Sequence, residues 1–175
     1  WREQRPDIIY IFSKDILRHR RAQKEDAVWL KKGEEYKDET LSVRAFGSTD
    51  VGVSFLLQAG GKKIFHAGDL NNWHWMDEST EAEWKGAEKN FLHELDDLYA
   101  YTPEVDVAMF PVDPRLGKEY MRGAGQFVTK IKTHIFVHMH FTPEYAKANA
   151  FRDFAEAHGV RFVSLTHRGQ KIEIE

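Results

Sequence analysis

Cysteine is absent from this 175-residue chain, which excludes disulfides, thiolate metal sites and cysteine nucleophiles together. A reducing, cytoplasmic compartment is the expectation that fits. Long apolar runs are missing too. No stretch approaches the ~20 apolar residues of a membrane-spanning helix, so no membrane partner is expected. Neither sign of charge dominates: Lys+Arg 25 against Asp+Glu 28 leaves a net charge of −3. With no basic–aromatic stripe either, no long nucleic acid is expected as a partner. The basic run Arg18, His19, Arg20 and Arg21, followed by Lys24, meets Glu25 and Asp26 at once and reads as a solvated face. Repeats, low-complexity tracts and linkers are lacking, so residues 1–175 read as one domain. The first residues carry no initiating Met and no apolar signal-peptide core, and a strand is expected five residues on. A preceding segment is therefore an expectation.

What is present alternates between strand and helix signals. Residues 7–12 (DIIYIF) read as a buried strand, and Ser13 as the cap of an amphipathic helix through Ile16 and Leu17. Residues 31–40 read as a polar connection or short hairpin arm. Strands are expected over 41–46, 51–58 and 62–66, the last two joined by a Gly60-Gly61 hairpin turn. The 3–4 spacing of Trp84, Ala87, Phe91, Leu95 and Leu98 predicts a helix over 79–99. Further strands are expected over 105–112 and 134–138, with a helix between at 118–130. A helix capped by Thr142-Pro143-Glu144 runs to about Gly159, and strands at 160–165 and 171–174 close the chain. The pattern is α/β.

Chemistry gathers where strands end. Asp69 follows the strand-ending His66-Ala67-Gly68. A carboxylate after a tight glycine turn can project from a rigid edge with its lone pairs free for a hard divalent cation, although Gly-Asp also makes an ordinary turn. His138-Met139-His140 ends another strand. In extended backbone both imidazoles face one side, unless one packs and the other is exposed. Trp73, His74 and Trp75 follow the Gly-Asp turn, where they would wall a pocket or pack on the next helix. There Trp73 is a candidate substrate contact and His74 a candidate donor or proton carrier. Arg115, in the loop after residue 112, is a candidate clamp for an anionic substrate group.

Together, in this order, these features resemble the last two metal motifs of the metallo-β-lactamase superfamily. Phe65-His66-Ala67-Gly68-Asp69 resembles its "hydrophobic-H-x-G-D" strand end. Val137-His138-Met139-His140-Phe141 is similar to the "V-P-M-H-F/Y" motif of its UlaG-like (ascorbate-phosphate lactonase-like) branch, and the strand from Gly52 matches the one leading to the G-D turn. The resemblance spans the chain from about Asp7 to its end. It implies a four-layer αββα sandwich, N-terminally incomplete here, with metal at one edge of two sheets. It also implies a metal-bound hydroxide acting on a small ester, lactone or phosphorylated substrate. Carried over, Asp69 is the carboxylate bridging two metals and His140 a ligand of the second. The metal implied is zinc, with manganese or iron as alternatives.

Two departures qualify what the resemblance implies. The H-x-H-x-D-H motif is absent and would fall upstream of Trp1, so this chain alone is expected to be inactive. The family's middle histidine is absent too. Its place holds Gly47-Ser48-Thr49-Asp50, where Thr49 or Asp50 would substitute or simply form a turn. The competing readings are a phosphodiesterase or nuclease of the same superfamily, a non-catalytic binding or regulatory relative, and a metal-free α/β domain. An unpaired strand at residues 7–12 would also offer an edge for a homo-oligomer.

Overall fold

The computed structural model describes residues 3–19, 23–141 and 143–174, the side chains of Arg18 and His19 excepted. In chain order the strands are β1 (Ile11–Ser13), β2 (Val28–Leu30), β3 (Glu35–Lys37), β4 (Leu41–Phe46), β5 (Ser54–Ala59), β6 (Lys62–His66), β7 (Glu104–Pro111), β8 (Lys132–Met139) and β9 (Arg161–Val163). The α-helices are α1 (Glu81–Tyr101), α2 (Arg122–Lys130), α3 (Tyr145–Asn149) and α4 (Arg152–Ala157). β3 to β9 form one seven-stranded sheet in sequence order, while β1 and β2 pair as a small parallel ribbon.

The large sheet changes character at β6. From β3 to β6 it is an antiparallel meander, and from β6 to β9 all pairs are parallel. Gly60 and Gly61 join β5 to β6 with φ of 55° and 76°, the left-handed pair that a two-residue hairpin turn requires. Parallel neighbours need crossovers, and α1, α2 and the α3–α4 pair supply them. β6, β7, β8 and β9 therefore all end at one edge of the sheet.

Two apolar clusters lie on opposite faces. Leu56, Phe65, Ala108, Phe136 and Phe162 meet across the strands and pack under Phe91, Leu95 and Leu98 of α1, Phe127 of α2, and Phe151. The other face gathers Leu30, Val43 and Ala45 with Ile11, Val28, Phe55 and Leu57, so the small ribbon covers the meander half. α1 starts at a reciprocal cap. The Thr80 hydroxyl accepts the Glu83 N–H, and the Glu83 carboxylate accepts the Thr80 N–H at 2.8 Å.

Several expected boundaries shift, for physical reasons. The strand expected over 7–12 is confined to Ile11–Ser13 and pairs with β2, a partner hidden in sequence by its three-residue length. A 3-10 turn, Lys14–His19, replaces the helix expected after Ser13. The basic run falls outside the described residues at 20–22 and in the Arg18 and His19 side chains. The helix expected over 118–130 is split. Asp113 caps a separate 3-10 segment, Pro114–Glu119, and Gly117 leaves helical geometry at φ 83° before α2 begins. The helix expected from residue 142 also divides, where the Phe151 N–H bonds Ala148 O, three residues back. Thr142, its expected cap, lies outside the described residues. Residues 171–174 form no ladder. Past β9 the chain turns, with Gln170 bonded to Ser164 O and the Thr166 N–H.

Candidate metal centre

The edge where the parallel strands end carries Asp69 after β6, Asp113 after β7 and His140 after β8. In open α/β sheets this is where ligands bind. The Asp69 turn is tight by necessity. Gly68 has φ 57°, and a side chain there would meet Val53 O at 2.9 Å, so only glycine fits. The Leu70 N–H closes the turn on Ala67 O at 3.0 Å. His140 leaves β8 with φ 62°, a conformation uncommon for a residue with a Cβ. The backbone thus stops being extended between His138 and His140.

That bend separates the two histidines. The His140 Nε2 lies 3.2 Å from Asp69 Oδ1, with the two side chains 28% and 33% exposed. Trp73 completes the group. Its indole N–H donates to Asp69 O at 2.8 Å, and its ring centroid stands 5.8 Å from that of His140. His138 points into the fold, 1% exposed. Its Nε2 is 2.9 Å from Asn149 Oδ1, and its ring stacks on Phe162 and edges Phe141. Burial holds its pKa below 6.5 against the opposing Asn149 contact. Of the two readings of His-x-His, one packed and one exposed histidine is the structural answer.

The remaining candidates sit apart from this pair. His74 is 1% exposed. Its Nδ1 accepts the Met76 N–H, and its Nε2 is 3.1 Å from Glu119 O. With both ring nitrogens bonded, proton transfer by His74 would first require breaking one of these contacts. Arg115 is held by Asp113 through Nε at 2.9 and 3.0 Å and through Nη2. The Asp113 carboxylate is fully buried, so the guanidinium is anchored at the loop by an internal charge. Asp50 is exposed beside Asn90 and His93. The Thr49 hydroxyl is engaged twice by the backbone of Asn71.

Beyond Trp73, the groups around the pair are given no role of their own by the sequence. His66 accepts the Gly68 N–H on Nδ1 at 3.1 Å. Although His66 keeps an exposed edge, surrounding groups desolvate its ring, and His140 adds like charge. Its pKa is held below 6.5 despite the opposing effects of a backbone hydrogen bond and, more weakly, of Asp69. Behind the loop, Asn71 and Asn72 are fully buried. The Asn72 side-chain amide donates to Gln126 Oε1 at 2.9 Å and Glu88 Oε1 at 3.3 Å, and Arg122 Nε meets Glu88 Oε1 at 2.7 Å.

Do these donors fit a divalent cation? Imidazole nitrogen and carboxylate oxygen suit zinc. Bonds of about 2.1 Å to a tetrahedral ion put neighbouring donors ~3.4 Å apart, close to the 3.2 Å found. The pair therefore fits two corners of such a site. Among the described residues no group of three or more His, Asp or Glu is placed to hold a metal. The set is compatible but incomplete.

No protein-family model matches the chain, and no curated protein matches it by sequence. Solved structures do match. One is a candidate metal-dependent hydrolase from Parabacteroides distasonis, at 14% identity and TM-score 0.61, over 90% of this chain and 64% of that one. Another is the metallo-β-lactamase fold protein YhfI from Bacillus subtilis, at 9% identity and TM-score 0.55, over 89% and 63%. A mutant of the CmlA β-hydroxylase matches at 13% identity and TM-score 0.54, over 85% and 34%. The chain spans less than two thirds of each of these proteins. At such identities the likeness concerns the fold, and the fold is that of the metallo-β-lactamases.

Proposed function

We propose that this chain contributes Asp69 and His140 to the metal edge of a metal-dependent hydrolase. The observation that carries the reading is their approach to 3.2 Å from the ends of two strands, both part-exposed. Their donor atoms suit zinc, with manganese or iron as alternatives. A complete site would need further ligands from outside the described residues. A bound cation would supply Lewis acidity and lower the pKa of bound water toward neutrality. This chain's own residues orient that edge: Gly68 makes the turn, and Trp73 fixes Asp69 through its carbonyl and stands beside His140.

For the substrate, the UlaG-like wording of the two motifs favours a small ester, lactone or phosphorylated molecule. Net charge −3 speaks against long nucleic acid. The incomplete donor set among the described residues supports a second reading, a binding or regulatory relative that kept the fold without the chemistry.

Elemental analysis separates the two. Metal is measured in this chain, in the protein at its natural full length, and in the Asp69→Ala, His140→Ala double variant of each. Near-stoichiometric metal in the full-length protein, lost in its double variant, is the expected result and justifies a screen of lactones and phosphate esters. Absence of metal from every form, even after incubation with zinc or manganese, would overturn the hydrolase reading in favour of the second.

A further inference from the structure

We propose that Thr49 is a positioning residue for the Asp69–His140 pair, acting through its hydroxyl on the backbone of Asn71. The proposal rests on the metal-edge reading for its consequence, though not for its test. Thr49 Oγ1 donates to Asn71 O at 2.6 Å and accepts the Asn71 N–H at 3.0 Å. One hydroxyl thus satisfies both backbone groups of a residue 22 positions away, as a neighbouring strand would. Asn71 is fully buried, so water cannot replace that partner. Its carbonyl keeps a second bond, from the Trp73 N–H at 3.1 Å, but its N–H depends on Thr49.

Thr49 is itself fixed. The loop carrying it is closed where the buried Ser54 hydroxyl donates to Gly47 O at 2.9 Å. On the far side of Asn71, its side-chain oxygen lies against Gly123 of α2, and Asn72 next to it is bonded to Gln126 and Glu88. The segment after Asp69 is therefore held between the loop at 47–54 and the N-terminal turn of α2. Asp69 lies two residues before the clamped position, and the Trp73 indole that bonds its carbonyl lies two residues after. Displacing Asn71 moves both. Because the hydroxyl is committed to Asn71, Thr49 serves the edge through Asp69 and is no replacement for a missing metal ligand.

The test compares Thr49→Val, which keeps the shape and removes the hydroxyl, with Thr49→Ser, which keeps the hydroxyl. NMR of the metal-free chain reads the Trp73 indole N–H, the His140 ring signals and, as a control, the Trp29 indole bonded to Lys24 O. In Thr49→Val the Trp73 indole proton should exchange roughly tenfold faster, the opening expected when a buried group loses its hydrogen-bond partner. The His140 signals should shift, Trp29 should stay unchanged, and Thr49→Ser should restore both. In the metal-loaded full-length protein, Thr49→Val should raise the metal dissociation constant about 10- to 100-fold.

A folded Thr49→Val with unaltered Trp73 and His140 signals would overturn the proposal. Should Thr49→Val fail to fold, exchange in the unsubstituted chain decides. An Asn71 amide protected together with the Trp73 indole supports the clamp, and one exchanging as fast as the Asp50 amide refutes it. A protein that binds no metal in any form removes the hydrolase reading and leaves the metal-free arm standing.

Discussion

Two asparagine side chains are buried beside the Asp69 turn because residue 123 has no side chain. A Cβ on Gly123 would stand 2.0 Å from Asn71 Oδ1 and 2.9 Å from the Asn72 backbone nitrogen. The second contact is with backbone pinned by Thr49 on one side and Glu88 on the other, so the neighbours cannot yield. Gly123→Ala should therefore destabilise the chain by about 1–3 kcal/mol, as overpacking does, despite the gain in helix propensity that alanine normally brings. A denaturant midpoint unchanged or raised in Gly123→Ala would show that the loop moves freely, against this packing. The same pair of sites shows what is legible at this scale. Asp69 and His140 stand out in sequence because strand-end position and a Gly turn are short-range signals. The Thr49 hydroxyl and Gly123 do not, because their partners lie 22 and some 50 residues away. Nothing local distinguishes a clamping Thr from an ordinary turn, or a glycine that makes room for a neighbour from any other glycine in a helix. Extended geometry alone would point His138 and His140 to one side, and the backbone bend at φ 62° turns one inward and the other outward.

α1 and α2 are joined by a charge that also supports the loop. Glu88 is bonded to Arg122, Gln126 and Asn72, with its side chain only 17% exposed. The Arg122 guanidinium, with smaller help from Gln126 and Asn72, holds its carboxyl below the ordinary value of 4.5. The folded chain thus binds this proton less readily than the unfolded chain. The contribution is complete above pH 4.5 and is lost as pH falls from there through the folded value. Glu88→Gln should cost roughly 1–3 kcal/mol at neutral pH, and the gap to the unsubstituted chain should narrow below pH 4.5. Thermal unfolding at several pH values measures this, and a gap independent of pH would sink it. Elements with strong periodicity or explicit punctuation were readable. The strand at 41–46, the Gly60-Gly61 hairpin and the helix carrying Phe91, Leu95 and Leu98 lie where the pattern put them, within two residues. The three-residue strands β1, β2 and β3 were not readable as strands with these bounds, being too short to show a period. They exist because longer neighbours or each other complete their ladders. The tail at 171–174 has strand-like alternation but no ladder partner, and alternation alone does not make a strand.

The whole molecule is a sheet with unequal faces, and this places the candidate site. One face is filled by aromatic side chains under α1, α2, α3 and α4, while the small ribbon covers the meander half of the other. Sequence order alone could not show that β6, β7 and β8 lie side by side in parallel. That adjacency is what brings two motifs some seventy residues apart to one edge. The asymmetry can be measured within a single strand. In β8, Phe136 is fully buried and touches the rings of Phe110, Phe151 and Phe162, whereas Val137, pairing with Met109 and Val163, is only half-buried on the opposite face. Phe136→Ala should cost about 3–5 kcal/mol, the loss of transfer energy plus a cavity. Val137→Ala should cost under about 1.5 kcal/mol, because part of the side chain already meets water. Both substitutions leave β8 hydrogen bonding intact, so the difference reports the faces and not the strand. Measured on the isolated chain by urea unfolding, a large gap confirms that the helical face carries the stability. If Val137→Ala instead costs as much as Phe136→Ala, the second face is packed in solution by more than the small ribbon.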